Sequence, residues 1–453
     1  MIRHEAASGW GKTATVPARV ARPTDAAALK SLLGDCARDG TPVALRGGGN
    51  SYGDLITDTQ GVIIDMLAFG AIVDSDFERG TVTVEPGVAL GQLVDHCLTE
   101  GWVPRAIPGS PFITVGGAIA NDVHGKDAFN KGNFGDGVIS MRIMLADGAV
   151  VTASHTENAE LFNGVIGGLG LFGIVVEATL QLEKVPSGFL DVELVRFDDT
   201  DAMTQLFETA AHDWDMLVAW LDAFDANGRG VLEKGRWRDT PAAARAGSAM
   251  PARSTGTGFR RALGAVCRPF AGRWSFKLLN ALFFAAVPFV AKPKVKHFAD
   301  FNFIVTSRIP EPPDLYPGGM IEVQVLIAKS DAAQTIRKLI GLCKAHKQES
   351  WWCGVKLHKS SPTPLGFTGD GYSLSVNLPG RNTREPGFAA FLGDLVQFVA
   401  GTGGRVYIGK DAVLRPDDIR TLFPDKDAFV ALKRRFDPDG LFQCDLARRL
   451  DLK

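Results

Sequence analysis

The chain has 453 residues, of which 45% are hydrophobic and 22% are charged, so it can build a large core over two or more domains, and a globally disordered protein is excluded. The 49 lysines and arginines balance 51 aspartates and glutamates, and the resulting net charge of −2 argues against a nucleic-acid-binding protein. Six scattered cysteines form no C-x-x-C pair, so we expect reduced thiols and no metal site. The amino terminus has no apolar signal segment, and we therefore expect residence in the cytoplasm.

Strands and helices alternate in the first 180 residues. Thr24-Asp25 predicts the cap of a helix with apolar positions at helical spacing up to Cys36, and residues 90–98 predict a second helix. Two strands flanking Asp147-Gly148 predict a hairpin over residues 141–152. Short segments rich in β-branched residues predict further strands at 42–45, 62–64, 81–84 and 174–182.

Three glycine-rich loops interrupt these elements, at residues 46–54, 108–120 and 167–173. Consecutive residues without Cβ let main-chain N–H groups approach a bulky or anionic ligand. The third loop matches G-x-G-x-x-G, but β-branched residues follow it where a Rossmann motif requires a helix, so we do not assign it to NAD. His124-Gly125-Lys126 follows the second loop and adds two side chains that can carry positive charge.

From about residue 186 the pattern changes and predicts a separate domain. Strands are predicted at 321–327 and 372–378, and an apolar strand is predicted to carry Lys410. Between Arg245 and His297 there are ten lysines or arginines and no acidic residue, interleaved with Phe and Trp. The apolar run 278–291 is too short to span a bilayer. This segment is either a basic-aromatic cap that contacts anionic lipid, or a solvated charged loop beside an ordinary buried helix.

Taken in order, these motifs resemble the FAD-binding (PCMH-type) domain of the vanillyl-alcohol-oxidase superfamily. The resemblance rests on 46–54, 108–120, 124–126, 132–135 and 167–173, and extends to 406–411, 435–438 and Phe442. It implies a two-domain α+β fold whose substrate domain is built on an antiparallel sheet. We expect residues 1–187 to bind FAD, residues 188–404 to bind substrate with a cap at about 245–300, and residues 405–453 to return to the FAD-binding domain.

The resemblance also assigns roles to individual residues. It implies that Lys410 and His124 are catalytic, although an isolated histidine is more often a core residue. The residues implied to line the substrate pocket are Tyr52, Lys126, Gln324, Lys356 and Ser375. The residues implied to hold FAD are Arg46, Gly47, Gly48, Gly49, Asn50, Ser51, Tyr52, Pro108, Gly109, Ser110, Thr114, Gly116, Gly117, Ala118, Asn121, His124, Gly125, Ile174, Tyr407 and Lys410.

Lys410 suits the oxidation of an alcohol, in which hydride leaves carbon while the hydroxyl proton goes to a base or is polarised by a cation. Desolvation and a neighbouring cation would lower the pKa of a lysine at this position. Many relatives attach flavin through a histidine after the first glycine run or through a cysteine near the second loop. Here Asn50 takes the first position and no cysteine lies between Cys97 and Cys267, so we predict non-covalent FAD.

The resemblance is to superfamily members that oxidise C2 of a polyprenyl-phosphate-linked pentose. Ser375 stands where those members have cysteine, and Ser373 replaces an asparagine, which puts the identity of the sugar in doubt. An NADH-dependent short-chain reductase of the keto sugar is the implied partner. Peripheral contact with the inner membrane follows only if residues 245–297 form the basic-aromatic cap. Two alternatives are an aldonolactone or sugar-alcohol oxidase with a small soluble substrate, and a non-catalytic flavin-binding scaffold.

Overall fold

A computed structural model describes residues 2–239, 264, 266–303, 311–359, 363, 365–367 and 369–453. Part of the predicted basic-aromatic cap, residues 245–263, lies outside the described residues. In the described part of the chain the strands form three sheets, two in the first 184 residues and one built mainly from residues 189–379. Helices and antiparallel sheets packed in this way confirm the predicted α+β fold class.

The first sheet has the strand order β1-β2-β4-β3, in which β4 runs parallel to both β2 and β3. Its strands are β1 (Arg3–Ala7), β2 (Val16–Ala21), β3 (Val43–Arg46) and β4 (Val62–Asp65). The first glycine loop follows directly from β3, so the sheet fixes where that loop begins. The predicted helix cap is confirmed, because the Asp25 side chain accepts a hydrogen bond of 2.8 Å from Ala28 N.

The second sheet is antiparallel, with the order β5-β6-β10-β8-β9 and with β7 also paired to β10. Its strands are β5 (Ile72–Asp76), β6 (Thr81–Val84), β7 (Trp102–Pro104), β8 (Val138–Met144), β9 (Val150–Ser154) and β10 (Ile174–Lys184). The predicted hairpin is confirmed as β8 and β9, and Gly148 supplies the positive φ of 77° that its turn requires. The third glycine loop leads into β10, which confirms that no helix follows the G-x-G-x-x-G motif.

The third sheet is antiparallel throughout, with the order β14-β11-β13-β12-β16-β17-β15-β18. Its strands are β11 (Phe189–Phe197), β12 (Met216–Leu221), β13 (Gly230–Trp237), β14 (Lys294–His297), β15 (Met320–Ala328), β16 (Cys353–His358), β17 (Gly371–Pro379) and β18 (Arg405–Val406). In the register, Gln324 lies opposite Ser375 and Lys356 lies opposite Ser373. Polar residues from β15, β16 and β17 are therefore brought together on neighbouring strands of this sheet.

Helices cover the sheets and join the two halves of the chain. The described helices are α1 (Ala26–Arg38), α2 (Leu90–Leu98), α3 (Val115–Ala120), α4 (Ala128–Lys131), α5 (Ala159–Val165), α6 (Thr200–Ala210), α7 (Arg273–Val290), α8 (Phe298–Asn302), α9 (Pro312–Leu315), α10 (Ala332–Ala345), α11 (Phe388–Gly401), α12 (Pro416–Leu422), α13 (Lys426–Phe436) and α14 (Asp445–Arg449). The predicted helix over residues 90–98 coincides with α2. No helix within these described residues is long and apolar enough to cross a membrane.

The carboxyl-terminal segment closes back on the first sheet. Val43 N donates to Leu441 O at 2.8 Å, and Gln443 N donates to Val43 O at 2.9 Å. The Arg449 guanidinium bridges Asp54, beside the first glycine loop, and Asp411, beside Lys410. These contacts place Lys410 next to the amino-terminal loops. The division into domains at residues 187 and 405 stays a prediction.

The prediction that Lys410 lies on a strand is wrong. β18 ends at Val406, and a 3₁₀ turn follows over Ile408–Lys410. Tyr407 N still donates to Gln324 O at 2.9 Å, but Lys410 N then turns back to Tyr407 O at 3.2 Å. After the hydrogen bond from Tyr407 N, the main chain leaves β15. The turn still directs the Lys410 side chain to Glu322 on that strand.

Candidate active site

The first two glycine loops pack against each other with no room for side chains between them. A Cβ on Gly48 would lie 1.9 Å from Phe112 O, and a Cβ on Gly47 would lie 2.1 Å from Thr114 Oγ1. Asn50 links the loops, because its Nδ2 donates to Phe112 O at 2.9 Å and its Oδ1 accepts from Ser110 Oγ at 3.1 Å. The two loops therefore form one continuous surface, with Asn50 committed to holding it together.

This surface fits a diphosphate-containing cofactor. Within the described residues, the main-chain N–H groups of Gly49, Asn50, Ser51 and Tyr52 donate to no main-chain carbonyl. A run of N–H groups without internal acceptors is the arrangement that binds phosphate oxygens. Among the same described residues, the buried oxygens Asn121 Oδ1 and Gln324 Oε1 lack a hydrogen-bond partner and are available to a ligand.

The predicted FAD-binding residues differ in what their side chains do. The Arg46 guanidinium pairs with Asp65 at 3.0 Å and with Glu5 at 3.1 Å, so its charge is already balanced. Ala118 and Ile174 are buried in the core, and their main chains are engaged in α3 and in the pairing of β10 with β8. Tyr407 donates its hydroxyl to Asn121 O at 2.7 Å. The remaining predicted residues lie in the two loops, in the first turn of α3 or beside His124, namely Pro108, Gly109, Thr114, Gly116, Gly117 and Gly125.

Lys410 forms an ion pair with Glu322 beside the first loop. Lys410 Nζ lies 2.7 Å from Glu322 Oε1, and Ser375 Oγ donates to the same oxygen at 2.7 Å. Burial opposes ionisation of Glu322, but the Lys410 charge and the hydrogen bonds from Lys410, Ser375 and Tyr52 outweigh it, so the pKa of Glu322 is lowered. The nearest charged neighbour of Lys410 is therefore a carboxylate, where the sequence led us to expect a cation.

His124 is the centre of a second polar group that adjoins this pair. Gln324 Nε2 donates to His124 Nε2 at 3.1 Å and to Ser373 Oγ at 3.2 Å. Lys356 Nζ lies 3.4 Å from His124 Nδ1, and the rings of His124 and His358 meet edge to face at 4.7 Å. Burial is the main cause that holds the pKa of His124 well below its usual range, so the ring is neutral.

Lys126 does not join these two groups. Its amine donates to Phe301 O, lies 3.9 Å above the Phe301 ring and is 3.8 Å from Glu233. Burial is the main cause that lowers the pKa of Lys126 to about 8. The structure thus brings together Tyr52, His124, Gln324, Lys356, Ser375 and Lys410, and directs the Lys126 side chain toward α8 and β13.

Glu322 and His358 were not predicted from the sequence. Ser373 was noted there, but not as a contact of Gln324. Glu322 and Gln324 are two residues apart in β15, where every residue from Met320 to Ile327 is buried. Alternate residues of a strand face the same side, so two polar residues at this spacing in an apolar strand mark a shared polar pocket. That signal was present in the sequence and could have identified Glu322.

Residues 17–154 match the FAD binding domain family, the span that contains the first two glycine loops and His124. This match, together with the oxidases and dehydrogenases among its relatives, indicates an FAD-dependent oxidoreductase whose residues 17–154 form a PCMH-type FAD-binding domain. It is 28% identical to decaprenylphosphoryl-beta-D-ribose oxidase of Mycolicibacterium smegmatis, over 98% of this chain and 97% of the relative.

Two other relatives share a smaller part of the chain. L-gulonolactone oxidase of Mus musculus is 30% identical over 38% of this chain and 39% of its own length. Cytokinin dehydrogenase 3 of Oryza sativa subsp. japonica is 29% identical over 44% of this chain and 37% of its own length. Because these two similarities cover less than half of the chain, they do not identify the substrate of this protein. The predicted non-covalent attachment of FAD stays a prediction.

Proposed function

We propose that this protein oxidises a secondary hydroxyl of a polyprenyl-phosphate-linked pentose, at C2 of the sugar, to the ketone. The observation that carries the proposal is the convergence of Lys410, Lys356 and His124 beside the glycine-loop surface, where Glu322 pairs with Lys410. Similarity to decaprenylphosphoryl-beta-D-ribose oxidase over nearly the whole of both chains supports the substrate class. An NADH-dependent short-chain reductase of the keto sugar is the partner that this product implies.

Bound FAD supplies the hydride acceptor for such an oxidation. The residues of this chain hold the sugar carbon toward the loop surface and accept or stabilise the hydroxyl proton. Gln324 and Ser373 present hydrogen-bonding groups from neighbouring strands, and Lys410 presents a cation held by Glu322. Buried polar groups of this kind discriminate between hydroxyl patterns, because a wrong pattern leaves them unpaired.

A small soluble substrate is the second candidate, and the partial similarity to L-gulonolactone oxidase favours it. Anaerobic bleaching of the bound flavin separates the two. We expect polyprenyl-phosphate-linked pentoses to bleach the flavin, and free pentoses, sugar alcohols and aldonolactones at equal concentration to leave it oxidised. Bleaching by aldonolactones or alditols alone would replace our proposal with the second candidate. A flavin that no member of the panel reduces would indicate a scaffold.

The outer face of α7 supports the association of this protein with a membrane surface. Trp274 is 74% exposed, Leu278 is 62% exposed and Phe289 is 81% exposed, which is unusual for large apolar side chains on one helix. The alternative of an ordinary buried helix does not account for this face. Basic residues flank or lie within it, namely Arg268, Lys277, Lys292 and Lys294. Two more, Arg273 and Lys296, are paired with Glu349 and Glu233. An apolar face with basic flanks is complementary to an anionic bilayer.

The inner face of α7 connects this surface to the candidate active site. Phe276 stacks on Trp351 with a ring-centroid distance of 4.6 Å, in an apolar cluster that Tyr52 also contacts. Asn280 is buried and donates to Asp222 at 3.2 Å. One helix thus presents an apolar face outward while it packs beside the pocket, which suits a substrate whose lipid stays in the bilayer.

We expect the protein to co-sediment with vesicles of phosphatidylglycerol and phosphatidylcholine, and to be released by high salt. Burying a Trp or Leu side chain contributes about 1.5–3 kcal/mol, so Trp274→Glu with Leu278→Glu should lower partitioning about tenfold or more. Val73→Glu, at an exposed apolar position of β5, is the matched control and should bind as wild type does. Equal binding by all three proteins would contradict a role for α7, and no binding by wild type would contradict membrane association.

A further inference from the structure

The two lysines of the candidate site differ in their partners. Lys410 Nζ forms an ion pair with a buried carboxylate oxygen of Glu322 at 2.7 Å. Lys356 is half-buried on β16, and its amine lies 3.4 Å from both Nδ1 and the main-chain oxygen of His124. Within the part of the chain that the structure describes, no ion pair joins Lys356 to a carboxylate.

The hydrogen bonds of His124 indicate the charge state of Lys356. Gln324 Nε2 can only donate, so in this arrangement His124 Nε2 accepts and the proton of the neutral ring is on Nδ1. Nδ1–H then faces Lys356 Nζ, and only an uncharged amine has a lone pair to accept from it. The same amine can donate to His124 O.

The surroundings of Lys356 favour the same charge state. Two amines, Lys410 and Lys126, and two carboxyl groups, Asp127 and Glu322, act on Lys356 electrostatically, and the histidines His124 and His358 are neutral. Burial is the largest cause that lowers the pKa of Lys356, followed by the charges of Lys410 and Lys126, and the result is a value of about 7. An amine with this pKa is an effective proton acceptor at neutral pH.

We propose that Lys356 accepts the proton of the substrate hydroxyl, while Lys410 remains an ammonium ion paired with Glu322. In this step, which rests on the proposed function, the O–H bond breaks and its proton converts the Lys356 amine to an ammonium. The C–H bond of the carbon that bears this hydroxyl also breaks, and its hydrogen and electron pair leave as hydride to the bound FAD. The carbon becomes a carbonyl carbon. Lys356 is thus the base, and Lys410 stabilises the negative charge that develops on the substrate oxygen.

The first test is the pH dependence of flavin reduction in the full-length, FAD-loaded protein, with the lipid-linked pentose that bleaches the wild type. Lys356 must be uncharged, so the rate should rise about tenfold per pH unit up to about 7 and then level. Lys356→Ala should lower the rate about 100-fold and remove the rising limb. Added methylamine should restore part of the lost rate, since it supplies the missing base.

Lys359→Met is the matched control, because Lys359 is an exposed lysine just after β16 that donates to Asn130 O at 2.8 Å, outside the pocket. It should keep the wild-type rate and pH profile. A Lys356→Ala protein that retains the rising limb overturns the inference, even if its rate is low. A wild-type protein that no sugar bleaches would instead refute the proposed function.

A second measurement does not depend on turnover. Competitive labelling with acetic anhydride, followed by mass spectrometry of the Lys356 peptide, reports the fraction of uncharged amine at each pH. We expect half-maximal reactivity at about pH 7. A Gln324→Glu substitution adds a carboxylate beside His124 and should move this midpoint upward, since a negative charge favours the ammonium form. Reactivity that begins only above pH 9 in the wild type would overturn the assignment.

Discussion

Lys410→Ala should leave FAD bound and yet reduce substrate-dependent bleaching of the flavin about 10²- to 10⁴-fold, the range over which removal of a positioned proton-transferring or polarising group acts. The substitution removes the cation 2.7 Å from Glu322 and leaves a buried carboxylate unpaired. Lys410 takes no part in the hydrogen bond between Asn50 and Ser110 that holds the two glycine loops together. Anaerobic stopped-flow absorbance measures the rate, and the flavin spectrum of the purified protein measures FAD content.

Two further variants sharpen this prediction. Glu322→Gln keeps an acceptor for Lys410 and Ser375 but removes the charge, and we expect slower bleaching with FAD still bound. Lys12→Met removes an exposed lysine that pairs with Glu311 and Asp314, and should behave as wild type. Unchanged bleaching by Lys410→Ala would remove Lys410 from the mechanism. Loss of FAD from this variant would assign it to cofactor binding.

Gly48→Ala should prevent FAD from binding tightly. The added Cβ would lie 1.9 Å from Phe112 O and 2.8 Å from Asn50 Nδ2, so the first loop has to move away from the second. Overpacking of this kind costs about 1–3 kcal/mol, and about 1.4 kcal/mol is a tenfold change in affinity, so we expect FAD to bind about tenfold more weakly or worse. The dissociation constant follows from a fluorescence titration with FAD.

Gly393→Ala is the matched control for this glycine. Gly393 lies in α11, and a Cβ there would meet no atom within 4 Å, so FAD binding should be unchanged. Thermal unfolding of both apoproteins should show that each is folded. FAD content can be measured on flavin released by acid, as the predicted non-covalent attachment allows. A Gly48→Ala protein with wild-type affinity would exclude the packed loops as part of the cofactor site.

The local elements were predictable because neighbouring residues alone specify them. Helix α2 begins and ends where its apolar spacing predicts, Asp25 caps α1, and Asp147-Gly148 turns the hairpin between β8 and β9. Each depends on backbone conformations that a few adjacent side chains favour. The strand predicted for Lys410 failed because only two residues there pair with β15 before the chain turns.

The sequence by itself predicted FAD and the two glycine loops expected to hold it, through a resemblance carried by several motifs in order. Glycine runs suit such a site because their main-chain N–H groups can approach a ligand closely. It also determined that Lys410 and His124 belong to one site, through the order of the motifs. Only the tertiary structure decided which lysine meets a carboxylate. Glu322, Lys356 and Lys410 come from three separate segments, and the register of β15, β16 and β17 sets the contacts that fix their charge. Ionisation depends on distance and burial in space, and sequence spacing specifies neither.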